Sequence, residues 1–211
     1  LNEHWDGSWW GMFGSADEAV REKGMALYKS MWTQISEHFS DYSYKLIFES
    51  ANEELCHRLN DSDVTGTEGV LSEDECYETT NRINSEFVKL VRSTGGKNAD
   101  RFLLIAGYNT DFRKTCDDRY QMPEDTAKDK LLLSVHYYTP WDYCSDGNAK
   151  RWGTPGDYEE QNSLFQMLTK FTDRGYGVVI GEYAVMGAAN KPDRDKFYAN
   201  LLDNCDLYNY C

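Results

Sequence analysis

The chain has 211 residues, enough for one domain with a sizeable core but short of the roughly 250 typical of a closed eight-stranded α/β barrel. Its formal net charge of -14 disfavours nucleic acid and anionic lipid, because the counterion release that drives binding to phosphate backbones needs clustered Lys and Arg. No apolar run approaches the ~18 residues of a membrane span and no leader-like segment follows Leu1, so a soluble chain, processed or truncated, is expected.

A neutral ligand suits this charge. Aromatic residues make up 14% of the chain, with 15 Tyr and 6 Trp, and their flat rings with polar edges fit sugar faces. Cys56, Cys76, Cys116, Cys144, Cys205 and Cys211 form no C-x-x-C pair and no Cys/His cluster at zinc spacing, so no metal site is expected. Their even number fits disulfides in a secreted protein, and buried free thiols are the other reading. Asn60-Asp61-Ser62 matches a glycosylation sequon.

In chain order, residues 1–4 read as the tail of a cut strand that enters a loop rich in Gly and Trp, from Trp5 to Gly11. A helix is predicted from Asp17 to Phe39, with Leu27, Met31, Ile35 and Phe39 at four-residue spacing as the stripe that packs on a sheet. Tyr44 to Glu54, YKLIFESANEE, carries a buried strand over 44–50 that hands over to Glu49, Asn52, Glu53 and Glu54. Residues 55–71 are too polar for core and are placed to cover a site. Ser72 with Glu75 is a capping box, followed by a helix through Ile83, Phe87 and Val91 that stops at Gly95-Gly96.

A second strand, RFLLIAG over 101–107, ends in Tyr108-Asn109-Thr110-Asp111, and residues 112–130 are a loop with at most a turn or two of helix. The third strand, LLLSVHYY over 131–138, puts His136 and Tyr138 on one face. Between 139 and 157, Trp141, Tyr143 and Trp152 are expected on an irregular surface. A helix over 158–173 buries Leu164, Leu168 and Phe171 and stops at Gly175. The fourth strand, GVVIGEY over 177–183, presents Glu182, and a last helix follows Pro192 with Phe197, Leu201 and Cys205.

Apolar strands alternating with amphipathic helices make an α/β protein with a parallel sheet. No G-x-G-x-x-G or Walker pattern marks an open nucleotide-binding fold. Polar residues stand at every strand end instead: His4, Glu53, Asn109, His136 and Glu182. That distribution fits a barrel whose site spans several strand ends. Glu53 and Glu182, three strands apart, would face each other across its mouth, and a facing carboxyl pair is what glycoside hydrolysis needs.

IFESANEE resembles the strand-four motif of glycoside hydrolase family 5, VVIGEYA its strand-seven nucleophile motif, and VHYYTPW its strand-six histidine and tyrosine. NEHWDGSWW is similar to strand three, and LLIAGYNTD to strand five of the subfamily-4 endoglucanases and xyloglucanases. The resemblance implies a (β/α)8 TIM-barrel type domain, incomplete, in which residues 1–211 are a partial glycoside hydrolase catalytic domain. It runs from the end of strand three to the helix after strand seven, without the first two strands and the last. The family's strand-two arginine and strand-eight tryptophan have no counterpart in it.

By the same resemblance the activity is that of a retaining endo-β-1,4-glucanase on cellulose, mixed-linkage glucan or xyloglucan. Glu182 corresponds to the nucleophile and Glu53 to the acid/base, with Asn52 holding the sugar 2-hydroxyl. His4 and His136 correspond to subsite hydrogen-bond partners, Tyr138 to the phenol that bonds the nucleophile, and Trp141 to a subsite platform. Trp9, Trp10 and Trp152 are platforms or packing, and His38 and His57 are ordinary histidines. Like-charge repulsion from Glu182 is expected to hold Glu53 protonated. Glu54 replaces the family's proline, which loosens the turn and adds a charge. No cofactor and no metal are implied. The implied partner is a β-glucan, with no nucleic acid and no membrane, and the full-length form is implied to be a secreted monomer. A mannanase of the same clan and a non-catalytic glucan-binding protein are the alternatives.

Overall fold

Among the described residues four parallel strands lie side by side in sequence order: β1 (Phe48–Glu49), β2 (Leu103–Asp111), β3 (Leu131–Tyr137) and β4 (Gly177–Tyr183). The structure is a computed structural model that describes residues 1–4, 9–62, 64–145 and 149–211. The predicted loop at residues 5–8 and part of the 139–157 segment therefore lie outside the described residues. Helices alternate with the strands and cover one sheet face, giving the incomplete (β/α)8 arrangement that the motif order implied. Among the described residues no helix is long and apolar enough to cross a membrane.

Helix starts follow their caps. Helix α1 (Glu18–His38) begins after Asp17, whose carboxylate accepts the Ala19 N–H, and α2 (Glu73–Ser93) opens on the predicted Ser72/Glu75 capping box. Short helices α3 (Phe112–Thr115) and α4 (Trp141–Cys144) follow β2 and β3. Helix α5 (Pro155–Met167) starts three residues before its predicted position, because Thr154 and Asp157 form a second capping box around Pro155. It passes into α6 (Thr169–Thr172), and α7 (Arg194–Tyr208) closes the chain.

The ladder assigns the sheet faces. Leu133 pairs with Val178 and Val135 with Ile180, and these odd positions of β3 face the helices with Tyr137, whose ring meets Phe112, Phe165 and Phe197. The opposite, concave face carries Glu49, Leu104, Leu132, Ser134, His136 and Val179. Both outer edges hold one residue in parallel register. Leu1 donates its N–H to Ile47 O and accepts from Glu49 N, while Cys211 donates to Val178 O and accepts from Ile180 N.

Several expectations are corrected by the packing. The buried stripe of α1 is Gly24, Tyr28, Trp32 and Ser36, rotated one position from the predicted one, and Leu27 is 45% exposed. Aromatic bulk decides this: Trp32 fills the space against Phe48 and Phe87, and Tyr28 donates to Ser50 O. Residues 55–71 are not wholly polar surface, since Leu55, Cys56 and Leu59 are core and the segment closes on the turn at Trp9–Gly14. There a Cβ on Gly11 would stand 1.8 Å from Asp61 O, so only glycine permits the approach. Tyr143 and Trp152, expected on the surface, are buried against Phe197. All six cysteines are free thiols, and Cys56, Cys76 and Cys144 act as small apolar core side chains, with burial pushing the thiols of Cys56 and Cys144 up to about 12.

Two buried polar devices fix the start of the sheet, where β1 contributes only two ladder residues. Ser50 Oγ donates to Asn84 Oδ1 at 2.7 Å and accepts the Ala106 N–H, while Asn84 Nδ2 donates to Ala106 O, so α2 clamps β1 to β2. Arg101, 1% exposed, donates to the carbonyls of Phe39, Tyr42, Ser43 and Leu46 and to Asn98 Oδ1. It stitches the loop between α1 and β1 to the base of β2. Arg101→Leu leaves four part-buried carbonyls without their charged donor and is expected to lower stability by roughly 3 kcal/mol, read as a lower urea midpoint at unchanged m-value.

Candidate active site

A flat sheet would hold positions on β1 and β4 roughly 14 Å apart, three steps of ~4.8 Å. Yet Glu53, beyond the end of β1, and Glu182, on β4, bring a carboxylate oxygen each within 4.8 Å of one another and of His136 Nδ1. Curvature contributes, and two local features aim the side chains.

The first feature is the turn after β1. Ala51, Asn52, Glu54, Leu55 and Cys56 are all buried, which leaves Glu53 as the side chain at the opening. Glu54 does not project a loose charge as expected, because its carboxylate turns in to accept the Asn52 N–H at 3.0 Å and tightens the turn. Cys56 Sγ meets Glu53 O at 3.4 Å and Asn109 Oδ1 at 3.2 Å, and the Asn109 N–H donates to Leu55 O. Asn109, one of the predicted strand-end residues, thus braces the turn from below at a left-handed φ of 54°.

The second feature is a bulge in β4. Val135 pairs with Ile180 but His136 pairs with Glu182, so Gly181 is an extra residue. Without it, Glu182 would share the parity of Val178 and Ile180 and point into the helices. The bulge turns it to the concave face beside His136. A Cβ on Gly181 would lie 3.3 Å from both His136 Nε2 and Ser134 Oγ, so glycine also leaves room for the imidazole.

His136 is the centre of the group. Its Nδ1 is 2.9 Å from Glu53 Oε1 and 3.6 Å from Glu182 Oε2. Tyr138 donates its phenol to Glu182 Oε2 at 2.9 Å, and His4 Nδ1 approaches Glu182 Oε1 at 3.9 Å from the N-terminal segment. Asn52 lies in the same turn, 1% exposed, with no partner for its amide oxygen or nitrogen among the described residues. Trp141 stands 63% exposed at the rim with its ring edge-on to Tyr138. Trp10 is packing, its indole N–H donating to Glu3, with Trp9 stacked on it. His38 and His57 are exposed, one at the end of α1 and the other in the turn at His57–Asn60.

The electrostatics overturn one expectation. Glu53 is not held protonated by Glu182: a hydrogen bond from His136 is the largest influence and holds the Glu53 carboxyl below its ordinary range, against a smaller opposing push from burial. The Tyr138 phenol is driven well above its ordinary value, by burial first and then by Glu182, so it stays a donor. Glu53, His136 and Glu182 are also, among the described residues, the group whose atoms could hold a metal ion, although His136 Nδ1 and Glu53 Oε1 already engage each other. Sequence reasoning named Glu49 only as the end of an apolar run, without a place in the site, and missed Ser134 and the Gly181 bulge. A glutamate inside an otherwise apolar strand was the available signal.

The sequence matches the Cellulase family, glycosyl hydrolase family 5, over residues 1–209. The chain belongs to this family. It is similar to endoglucanase A of Paenibacillus barcinonensis, with 31% identity over 223 residues covering 92% of this chain and 52% of that protein. A xyloglucan-specific endo-beta-1,4-glucanase of Bacteroides ovatus is 31% identical over 196 residues, 87% of this chain and 37% of the relative. Among solved structures, a Bacteroides ovatus family 5 xyloglucanase in complex with a XXXG heptasaccharide superposes with a TM-score of 0.81 at 28% identity, over 99% of this chain and 47% of that one. A subfamily-4 broad specificity endoglucanase of Ruminococcus champanellensis with bound cellotriose gives 0.80 at 27% identity, over 100% and 58%. The chain thus spans about half the length of these curated relatives or less, as expected of an incomplete family 5 barrel with subfamily-4 neighbours.

The His136 hydrogen bond has a measurable consequence. Because it depresses the Glu53 carboxyl, it contributes stability that is present above the ordinary carboxyl pKa of about 4.3 and is lost as pH falls through the lower folded value. His136→Phe is expected to move the Glu53 titration upward, read by carbon-13 NMR of labelled glutamate. It is also expected to flatten the acid limb of stability against pH.

Proposed function

We propose that residues 1–211 form part of the catalytic domain of a retaining endo-β-1,4-glucanase, with Glu182 as nucleophile and Glu53 as acid/base. The observation that carries this reading is the approach of the two carboxylates within 4.8 Å around His136. Such closeness suits direct attack by one carboxylate, with the carboxyl groups about 5–5.5 Å apart, rather than the roughly 6.5–9.5 Å that leaves room for a water.

In this reading Tyr138 holds Glu182 Oε2, leaving Oε1 to attack the anomeric carbon as the glycosidic C–O bond breaks. Glu53 gives a proton to the departing oxygen. In the open site the hydrogen bond from His136 favours the Glu53 carboxylate, and a bound glucan that excludes water favours the neutral acid that donates the proton. Once the glycosyl ester forms, Glu53 as carboxylate removes a proton from the incoming water as the water oxygen bonds to the anomeric carbon and the Glu182 ester bond breaks, which returns Glu53 to its acid form. The Asn52 amide offers a donor to the sugar 2-hydroxyl, His4 and His136 supply subsite hydrogen bonds, and exposed Trp141 offers a ring face to a sugar.

The substrate class is a β-glucan, whether cellulose, mixed-linkage glucan or xyloglucan. Such polymers do not enter cells, which supports secretion, and the full-length form is taken to be a monomer with neither metal nor cofactor in its mechanism. Expressed with its native flanking sequence, the protein should release reducing ends from glucan with retained anomeric configuration by proton NMR. Glu182→Ala should fall to background. Glu53→Ala should lose about 100- to 10,000-fold on natural glucan, and much less on an aryl glycoside whose leaving group needs no protonation. Inverted product would remove the double displacement. Faster cleavage of mannan than glucan would transfer the substrate, and glucan binding with wild-type hydrolysis no higher than Glu182→Ala would leave a binding protein.

A further inference from the structure

Glu49 lies on the concave face, in the row of side chains below the site, and no role in the chemistry described above falls to it. Its carboxylate is bridged: Ser134 Oγ donates to Oε1 at 2.6 Å and Asn2 Nδ2 donates to Oε2 at 2.9 Å. The three residues come from three different elements, the N-terminal segment, β1 and β3, and the bridge passes across β2.

The spacing of the two donors is what matters. Asn2 is two residues before His4 and Ser134 is two residues before His136, so each donor shares a face with the site histidine of its own segment. Alternation is visible at the N-terminus, where Glu3, between Asn2 and His4, is buried and accepts from Trp10 on the helix side. Ser134 and His136 also border the same gap, because a Cβ on Gly181 would meet Ser134 Oγ and His136 Nε2 at 3.3 Å each. A Ser134 hydroxyl released from Glu49 is free to rotate toward the imidazole.

We propose that Glu49 is a positioning residue: its bridged carboxylate fixes the two histidine-bearing segments at the spacing that lets His136 engage Glu53 and His4 approach Glu182. Its part in catalysis rests on the hydrolase reading of those two glutamates, whereas its geometric effect does not.

The geometric effect is read in the 211-residue chain from the Glu53 titration, by carbon-13 NMR with the signal assigned through Glu53→Gln. Glu53 is faced by His136, His4 and Arg58, which favour its carboxylate, and by Glu182. Loss of the Glu49 charge alone would make the surroundings less negative and lower the Glu53 midpoint. Loss of positioning slackens the His136 hydrogen bond and raises it. The two explanations therefore differ in sign.

The expected result is a rise of roughly half a pH unit in Glu49→Ala and no rise in Glu49→Gln, whose amide can accept from Asn2 and donate to the Ser134 oxygen. A fall in both variants, or no change in either, overturns the proposal. If Glu49→Ala does not fold, Ser134→Ala carries the test, since it removes one arm at constant charge. A rise supports the proposal and an unchanged midpoint overturns it. In protein expressed with its native flanking sequence, Glu49→Ala should lower kcat roughly tenfold or more at near-constant KM, with recovery in Glu49→Gln. If the titration responds but the wild type does not hydrolyse glucan, the hydrolase reading fails and the positioning effect stands.

Discussion

Side-chain parity on β4 is the constraint that the rest of the site depends on. In a regular parallel strand, Glu182 would follow Val178 and Ile180 into the helix layer, where a carboxylate would be buried among apolar side chains. One inserted residue, Gly181, reverses this. Glycine fits for two reasons: the bulge needs no side chain to pack, and the imidazole beside it needs the space.

The opposite edge solves a different problem. Strand β1 is short and cannot hold its own position through ladder bonds, so it is gripped from the helix side by Ser50, Asn84 and the Tyr28 phenol, and from the loop by Arg101. These groups are polar yet buried, and each makes good hydrogen bonds, which is how a dry polar network adds rigidity without a desolvation cost left open. The turn carrying Glu53 inherits that rigidity. Glu54 then completes the turn with a side-chain hydrogen bond at the position where the family has proline.

The same site shows why proximity of charges is a poor guide to protonation. Glu182 is close to Glu53, and repulsion alone would push the Glu53 proton on. A third group, His136, sits between them at hydrogen-bonding distance from Glu53, and that short directional bond outweighs the opposing push of burial. In a chain with a net charge of -14, a local donor sets the direction of the Glu53 shift.

Much of the architecture was legible in the residues. The four apolar runs, the Ser72 cap, the core positions Ile83, Phe87 and Val91, and the polar residues closing each strand follow from period, capping chemistry and the abrupt end of hydrophobic runs, all of them local signals. Less local matters were not. Period alone did not choose between the Leu27 stripe and the Tyr28–Trp32 stripe on α1, because both repeat every four residues and the choice rests on the shape of the cavity under Phe48 and Phe87. Nor does a sequence mark which residue of GVVIGEY is surplus, since register is a relation between two strands. By itself, then, the sequence determined that carboxylates and histidines would gather at the ends of parallel strands. Only the tertiary structure decided which way each one points and that His136, rather than Glu182, governs Glu53, because orientation and hydrogen bonding arise from neighbours far apart along the chain.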